Sequence, residues 1–419
     1  MVFERDVLKK LRKDLNNKRI SILIGARQVG KTTLMKMLYD EVNDGNNCLF
    51  LDLDVLSNYE KVSTFEGLLN VLRLNGYNDS QKSFFYLFLD EFQRYPDIVK
   101  IMKNVYDNLN NVKIFASGSS SLTIKNQIQE SLAGRKIIYE IFPLSFEEFL
   151  FFKKEDKLID NLKNLNKLRG DLKSVLKDYF VLFEEFLRYG GYPDVVLKNN
   201  LSEKRDVLES IFDLYVKKDL IEYLRVDKVL NVKRLIEYLA INNGQKIKYD
   251  EISRVCDLEF NEIKNYLEIL SETYLIKIVR PFYSNKNKEL VKIPKIYFLD
   301  NGVRNYFINN FNLLKIRNDN GFLFEGFILS EFLKMGKKEI NFWQDKNLNE
   351  VDFILNEVNE IIPIEIKFKE TLNQGDFKNL NLFIEQYHLK KGYLVNLVNQ
   401  EKKKNIFVCI PYVIKGVVK

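Results

Sequence analysis

Residues Ile20 to Thr33 read ISILIGARQVGKTT, an apolar run, a loop bounded by Gly25 and Gly30, and then Lys31, Thr32 and Thr33 at the head of an amphipathic stretch. Glycine lets the backbone curl until successive N–H groups face inward, and a helix starting near Lys31 adds the positive end of its dipole. The amides of Gly25, Ala26, Arg27, Gln28, Val29 and Gly30 then make a nest for a phosphate, which Thr33 extends into the helix. Lys31 would reach the β- and γ-phosphates of a nucleotide as a point charge, and the Thr32 hydroxyl would hold Mg²⁺. The plainer alternative is a glycine turn before an ordinary helix.

A second set of acids follows. FFYLFLDEF, residues 84–92, is a near-continuous apolar run ending in Asp90 and Glu91. Such a run suits a parallel strand covered on both faces, with the acids beside the phosphate site at its C-terminal end. Asp90 would bind Mg²⁺ through water and Glu91 would orient or deprotonate the attacking water. A helix cap and first-turn acid are the alternative for this pair. VKIFASG, residues 112–118, predicts a further strand ending in serines, among which Ser119 either senses the γ-phosphate or caps a turn. Arg135, in LAGRK, is placed like an arginine finger acting across a subunit boundary, or else is a surface ion-pair partner.

A third constellation lies near the C-terminus. Period-two alternation in IPIEIK puts Glu365 and Lys367 on one face, and in EVDFIL it puts Glu350 and Asp352 together. On neighbouring strands Asp352 and Glu365 would share a Mg²⁺, and Lys367 would stabilise an activated hydroxide or the charge growing on a phosphate. Exposed cross-strand ion pairs are the alternative.

The elements that position these groups alternate strand and helix up to about residue 140. From 226 to 300 three helical stretches precede strands at LIKIVRPFY and KIYFLD, a winged-helix pattern. Its third helix carries Glu259, Glu262, Glu268 and Glu272, a poor match to DNA. The hairpin instead carries Lys277, Arg280, Lys286, Lys288, Lys292 and Lys295 against Glu289, so it would either lie along a nucleic-acid backbone or serve as a packing module. From Phe322 the order of elements is αβββαβ with a last strand near IFVCIPYV. A chain of 419 residues suggests roughly two to four domains. A net charge of +7 permits a nucleic-acid partner without requiring one. The single histidine, His388, excludes a Ser-His-Asp triad elsewhere and any multi-histidine metal site. Cys48, Cys256 and Cys409 show no paired spacing, no apolar run is long enough for a membrane span, and a reducing, cytoplasmic location is expected.

GARQVGKTTL, FLDEFQ, FASGSSS, LAGR, IFPLSFEEF and YGGYPDVV, in that order, resemble the AAA-type, STAND-like P-loop ATPases of archaea and bacteria that carry a C-terminal DUF4143-type domain. Gly191-Tyr192-Pro193 also resembles the G-x-P lid motif of Orc-like and STAND ATPases, which implies a helical lid over the nucleotide with Pro193 near the adenine. Asp352 with Glu365-Ile366-Lys367 is similar to the PD-(D/E)xK nuclease pattern, and Glu325 matches the extra helix acid of part of that superfamily. The resemblance implies an α/β chain: a P-loop AAA-type core at 1–143, a helical lid at 144–222, a winged-helix module at 223–312 and a restriction-endonuclease-like domain at 313–419. It implies an ATP- and Mg²⁺-dependent ATPase coupled to a nuclease-like domain acting on or near DNA or RNA, with a homo-oligomer as the setting for Arg135. An ATP-controlled signalling or scaffold switch with an inactive C-terminal domain is the alternative.

Overall fold

The computed structural model describes residues 4–43, 47–95, 97–119, 128–165, 167–214, 228–283, 289, 292–358 and 360–418. The chain forms two compact units: Met1–Phe142 with Glu272–Tyr274, and Pro143–Ser271 with Leu275–Lys419.

The first unit is built on five parallel strands: β1 (Ile20–Gly25), β2 (Cys48–Asp52), β3 (Phe85–Asp90), β4 (Val112–Ser119) and β5 (Lys136–Ile141), in the order β2-β3-β4-β1-β5. Every residue of β1 and of β4 is buried, as expected of central parallel strands covered on both faces. Helices Lys31–Val42 and Ile98–Asn108 bury Leu34, Met35 and Leu38, and Ile98, Met102 and Val105. Register places Gly25 beside Ser119 on one side and Ile141 on the other. Asp90 closes β3 two strands away from β1, so the expected phosphate loop and paired acids emerge from the same edge of the sheet. The Glu272–Tyr274 segment is held by Tyr274, whose hydroxyl donates to Glu140 at 2.7 Å and whose ring meets Phe142 edge-on.

The second unit contains a nine-stranded mixed sheet. Its strands are β6 (Gly170–Asp171), β7 (Ile276–Pro281), β8 (Lys295–Phe298), β9 (Ile340–Gln344), β10 (Glu350–Asn356), β11 (Ile361–Ile366), β12 (Gly392–Val395), β13 (Asn399–Lys403) and β14 (Ile406–Cys409). Their order is β6-β13-β14-β12-β11-β10-β9-β7-β8. The expected αβββαβ order is present as helix Asn320–Lys334, β9 to β11, helix Lys378–Gln386 and β12. Two additions extend it. The hairpin after the three helices Val229–Ile241, Tyr249–Cys256 and Phe260–Glu272 joins through β7, which runs parallel to β9, and the 153–174 insertion supplies β6, antiparallel to β13. Gln400 ties that insertion down by donating to the carbonyls of Leu165 and Leu168.

IFPLSFEEF owes its form to a capping box: Ser145 accepts from the Glu148 amide, Glu148 accepts from the Ser145 amide, and helix Phe146–Phe152 begins there. Phe146, Phe149, Phe183, Phe186, Phe327 and Tyr412 pack mostly edge-to-face behind it.

Candidate functional sites

In the first unit the sheet presents the loop Gly25–Gly30. A Cβ on Gly25 would lie 2.1 Å from the Ile141 carbonyl oxygen, so only glycine lets β1 end this close to β5. Gly30 has φ 92° and caps the helix beginning at Lys31, and Gln28 is also left-handed, at φ 58°. Lys31 is buried and folded over the loop, its Nζ donating to the carbonyls of Gly25 at 3.1 Å and Ala26 at 2.6 Å. Ala26 and Val29 are buried against the unit, Arg27 and Gln28 are half-buried, and Thr32 and Thr33 lie in the first helical turn. The loop is braced from outside by Arg5, whose guanidinium donates to the carbonyls of Val29 and Phe142, each at 2.8 Å. The sequence gives no motif for that brace, because its two acceptors lie 24 and 137 residues away.

Asp90, 2% exposed, accepts from the Ser117 hydroxyl, a residue of the neighbouring β4. Glu91 takes a left-handed backbone, φ 54°, a conformation that strains a non-glycine residue and is concentrated at functional sites. Its carboxylate accepts from Gln93 Nε2 at 2.5 Å, and Gln93 Oε1 accepts from the Ser119 amide at 3.1 Å. Gln93 therefore bridges the two residues expected to flank the γ-phosphate, a role that nothing in the string FLDEFQ announces. A Cβ on Gly118 would come within 2.6 Å of Gln93 Oε1, so the glycine makes room for this bridge. Ser120 lies outside the described residues. Arg135 forms a forked pair with Asp107, at 2.7 and 3.2 Å, the surface ion-pair arrangement that its sequence position left open. The hydroxyl of Thr32 and carboxylate of Asp90 are hard oxygen donors of the kind Mg²⁺ takes while keeping several waters, and the buried setting of Asp90 fits such a cation.

In the second unit Pro193 is the first residue of helix Pro193–Leu197. The preceding glycines have a packing reason to be glycine. The Asp300 carboxylate accepts from the Gly191 amide at 2.7 Å and would collide at 2.0 Å with a Cβ on Gly190, which has φ 78°.

The C-terminal acids gather on β10, β11 and helix Asn320–Lys334. The pairing of β10 with β9 slips by one residue between Val351 and Ile354, the stretch that contains Asp352. Asp352 is buried and accepts from the Ile366 amide at 2.7 Å. Glu365, 2% exposed, pairs with Lys367 at 2.5 Å through one oxygen, while its Oε2 is buried with no hydrogen-bond partner. Glu325 accepts from the Tyr297 hydroxyl at 2.7 Å. Burial, and after it the charge of Asp352, raises the Glu325 carboxyl to about 8 and pushes Glu365 well above the usual carboxylate range. Burial also raises Asp352, against the pull of Lys367 and Lys295.

Lys295 changes the expected reading. It is not an exposed wing cation but a buried side chain, 5% exposed, paired with Glu350. Burial alone would lower its pKa, but the charges of Glu325, Glu350 and Asp352 outweigh it and hold the ammonium charged. Lys286 and Lys288 lie outside the described residues; Glu289 is buried and accepts from the Tyr283 amide. Among the described residues no three acidic, histidine or cysteine side chains are gathered so as to hold a metal ion. Glu325, Asp352 and Glu365 therefore form a largely buried cluster without making a ready cation cage, and Lys295 and Lys367 already supply countercharge there. No helix among the described residues is long and apolar enough to cross a membrane.

Comparison with known proteins gives three family matches: an AAA domain over residues 17–150, a domain of unknown function (DUF8612) over 181–314 and a domain of unknown function (DUF4143) over 320–414. An "uncharacterized protein" of Methanocaldococcus jannaschii is 28% identical over 98% of this chain and 90% of its own, and one of Haemophilus influenzae is 25% identical over 94% and 92%. Among solved structures, the Walker-type ATPase of Pyrococcus abyssi is similar over 73% of this chain and 96% of its own, with 16% identity and a TM-score of 0.49. With the loop, the helix and the paired acids in place, residues 17–150 are an AAA-type P-loop ATPase domain, of the class that binds and hydrolyses ATP, and residues 320–414 are a DUF4143 domain.

Proposed function

We propose that the chain is a Mg²⁺-dependent ATPase in which nucleotide turnover in the first unit governs how a nuclease-like second unit engages nucleic acid. The observation that carries the ATPase half is the bridge of Glu91, Gln93 and Ser119 beside the loop of Lys31. Loop amides and Lys31 bind the phosphates, and Glu91, kept in place by Gln93, orients the attacking water and takes its proton. Thr32 and Asp90 would hold a Mg²⁺, which would supply positive charge against the phosphates. Pro193 and its helix are read as the lid motif of the second unit. Arg135 serves a neighbouring subunit only by leaving Asp107.

The charged cluster of Asp352, Glu365 and Lys367 supports a nuclease-like ancestry for the second unit. The pairing of Lys295 with Glu350 and the lack of a three-acid cage among the described residues favour a second reading for that cluster, binding without cleavage. Phosphate release from ATP by wild type, Lys31→Ala and Glu91→Gln tests the first half. The reading requires Lys31→Ala to lose binding and Glu91→Gln to bind ATP but turn it over at least about a hundredfold more slowly. Equal turnover in all three refutes it. Incubation of the same protein with labelled DNA and RNA, in Mg²⁺ and in Mn²⁺, tests the second half. Products that vanish in Glu365→Gln establish cleavage, and intact binding without products establishes the binding-only reading.

A further inference from the structure

A groove of about 1000 Å³ opens beside the charged cluster of the second unit, between β7, β9 and the end of helix Lys378–Gln386. Its wall combines Lys246, Lys292 and Lys346 with the rings of Tyr283, Trp343 and Tyr387. The three lysines are exposed, while Tyr283 and Tyr387 are half-buried and so offer part of each ring to the groove. Tyr387 is held in place by Phe383, at 4.5 Å between ring centres, and by Phe282 edge-on at 5.4 Å. Asp345 is the acid of this wall, and its carboxylate is turned to the amides of Asn347 and Asn349 and to the Asn349 side chain. The groove is therefore positive and lined by fixed rings.

Two further features give it direction. Lys246 donates to Gln344, Gln344 donates to Glu350 at 3.2 Å, and Glu350 pairs with Lys295, whose charge is felt by Asp352, so one wall is linked to the buried acids. A smaller cavity of about 600 Å³ shares Lys292 and Ile293; Arg280, Lys264 and the acid Glu268 line it, and Lys264 lies 4.3 Å from the ring centre of Phe260, which is 51% exposed. Cations and aromatic rings thus line both cavities.

Charge alone would suit a duplex or an acidic peptide. The rings discriminate, because a duplex hides its base faces in the stack, whereas unpaired bases stack on aromatic side chains without regard to sequence. We propose that this groove is a track for single-stranded nucleic acid, with Lys246, Lys292 and Lys346 on phosphates and Tyr283 and Tyr387 under bases, running beside the Lys295–Glu350 pair that borders the buried acids. The proposal rests on the reading that the second unit engages nucleic acid, and it adds which form is bound and where.

The test is fluorescence polarisation of the full chain with a labelled oligothymidylate in EDTA, so that cleavage plays no part, against a duplex of equal length and against polyglutamate. The single strand is expected to bind about tenfold or more tighter than the duplex. Replacing Lys292 and Lys346 together by alanine should flatten the salt dependence by about 1.4 in log–log slope, since each phosphate contact on a single strand contributes about 0.7. Tyr283→Ala should weaken binding about tenfold, and Tyr283→Phe, which keeps the stacking face, should restore it. Circular dichroism of each variant separates misfolding from lost contact, and the exposed lysine pair gives a readout that leaves the core alone. Wild type that binds nucleic acid with these variants unchanged, or duplex held as tightly as single strand, overturns the groove but leaves the broader reading. Polyglutamate that competes fully while Tyr283→Ala is silent marks a protein-docking face and overturns it too. No binding to either nucleic acid overturns both.

Discussion

Lys113 lies near the start of β4, fully buried, with its ammonium donating to the Arg19 carbonyl and to Ser21 Oγ at 2.8 Å. Burial pulls its pKa from 10.5 to about 8, despite the opposing charge of Asp14. In the unfolded chain the same lysine holds its proton up to the ordinary value. Between about pH 8 and 10.5 the unfolded state therefore binds more protons than the folded one, and stability attributable to Lys113 rises with pH across that window. Below it both states are charged, and the fold carries the whole penalty of the buried charge, on the order of 3 kcal/mol at about 1.4 kcal/mol for each pH interval. Lys113→Met removes the titrating group and keeps most of the volume. Urea unfolding followed by circular dichroism, wild type against Lys113→Met, should show wild type gaining about that amount of stability relative to the variant between about pH 8 and pH 10.5. A difference that stays constant across the window, or wild type losing stability relative to the variant as pH rises, refutes the assignment of a charged, desolvated lysine inside the ATPase sheet.

Gln93→Ala should slow ATP turnover about tenfold while ATP affinity holds, because it frees Glu91 and the Ser119 amide without touching the loop; single-turnover kinetics beside equilibrium nucleotide binding reads the split. Gly25→Ala forces a Cβ against the Ile141 carbonyl and should abolish nucleotide binding or leave the first unit unfolded, whereas the same change at Gly134, which has open space around it despite φ 75°, should cost far less by thermal melting. Arg135→Ala should slow turnover only if the side chain leaves Asp107 for a neighbouring subunit; turnover per subunit that does not vary on dilution, together with a silent substitution, assigns it to the surface pair.

What the sequence disclosed follows from how locally each feature is specified. Gly25, Lys31 and Asp90 were legible because a fully buried parallel strand is written as an apolar run, and the turn that ends it needs glycine. The order of elements after Phe322 was legible for a similar reason, since β9 to β11 and helix Lys378–Gln386 each carry their own periodicity. Lys295 was misread because a lysine in a basic run is usually solvated, and its partner Glu350 lies 55 residues further along. β13 reads NQEKK and β6 is two residues long, so neither has an apolar alternation to betray it. β13 exists because β14 follows it in a tight hairpin, and β6 because the distant β13 offers it a hydrogen-bonding edge. Arg5 acts through backbone carbonyls and Gln93 in part through the Ser119 amide, and backbone groups leave no trace in residue type.

The reach of the nine-stranded sheet bears on how the protein can be dissected. Excision at residue 313, where the nuclease-like segment was expected to start, would strip away β6, β7 and β8 and leave β9 and β13 with bare backbone donors and acceptors. Such a fragment would seek replacement strands in other copies of itself, so its insolubility would report the position of the cut and not the folding capacity of the parent. A cut just before Pro143 keeps all nine strands in one piece.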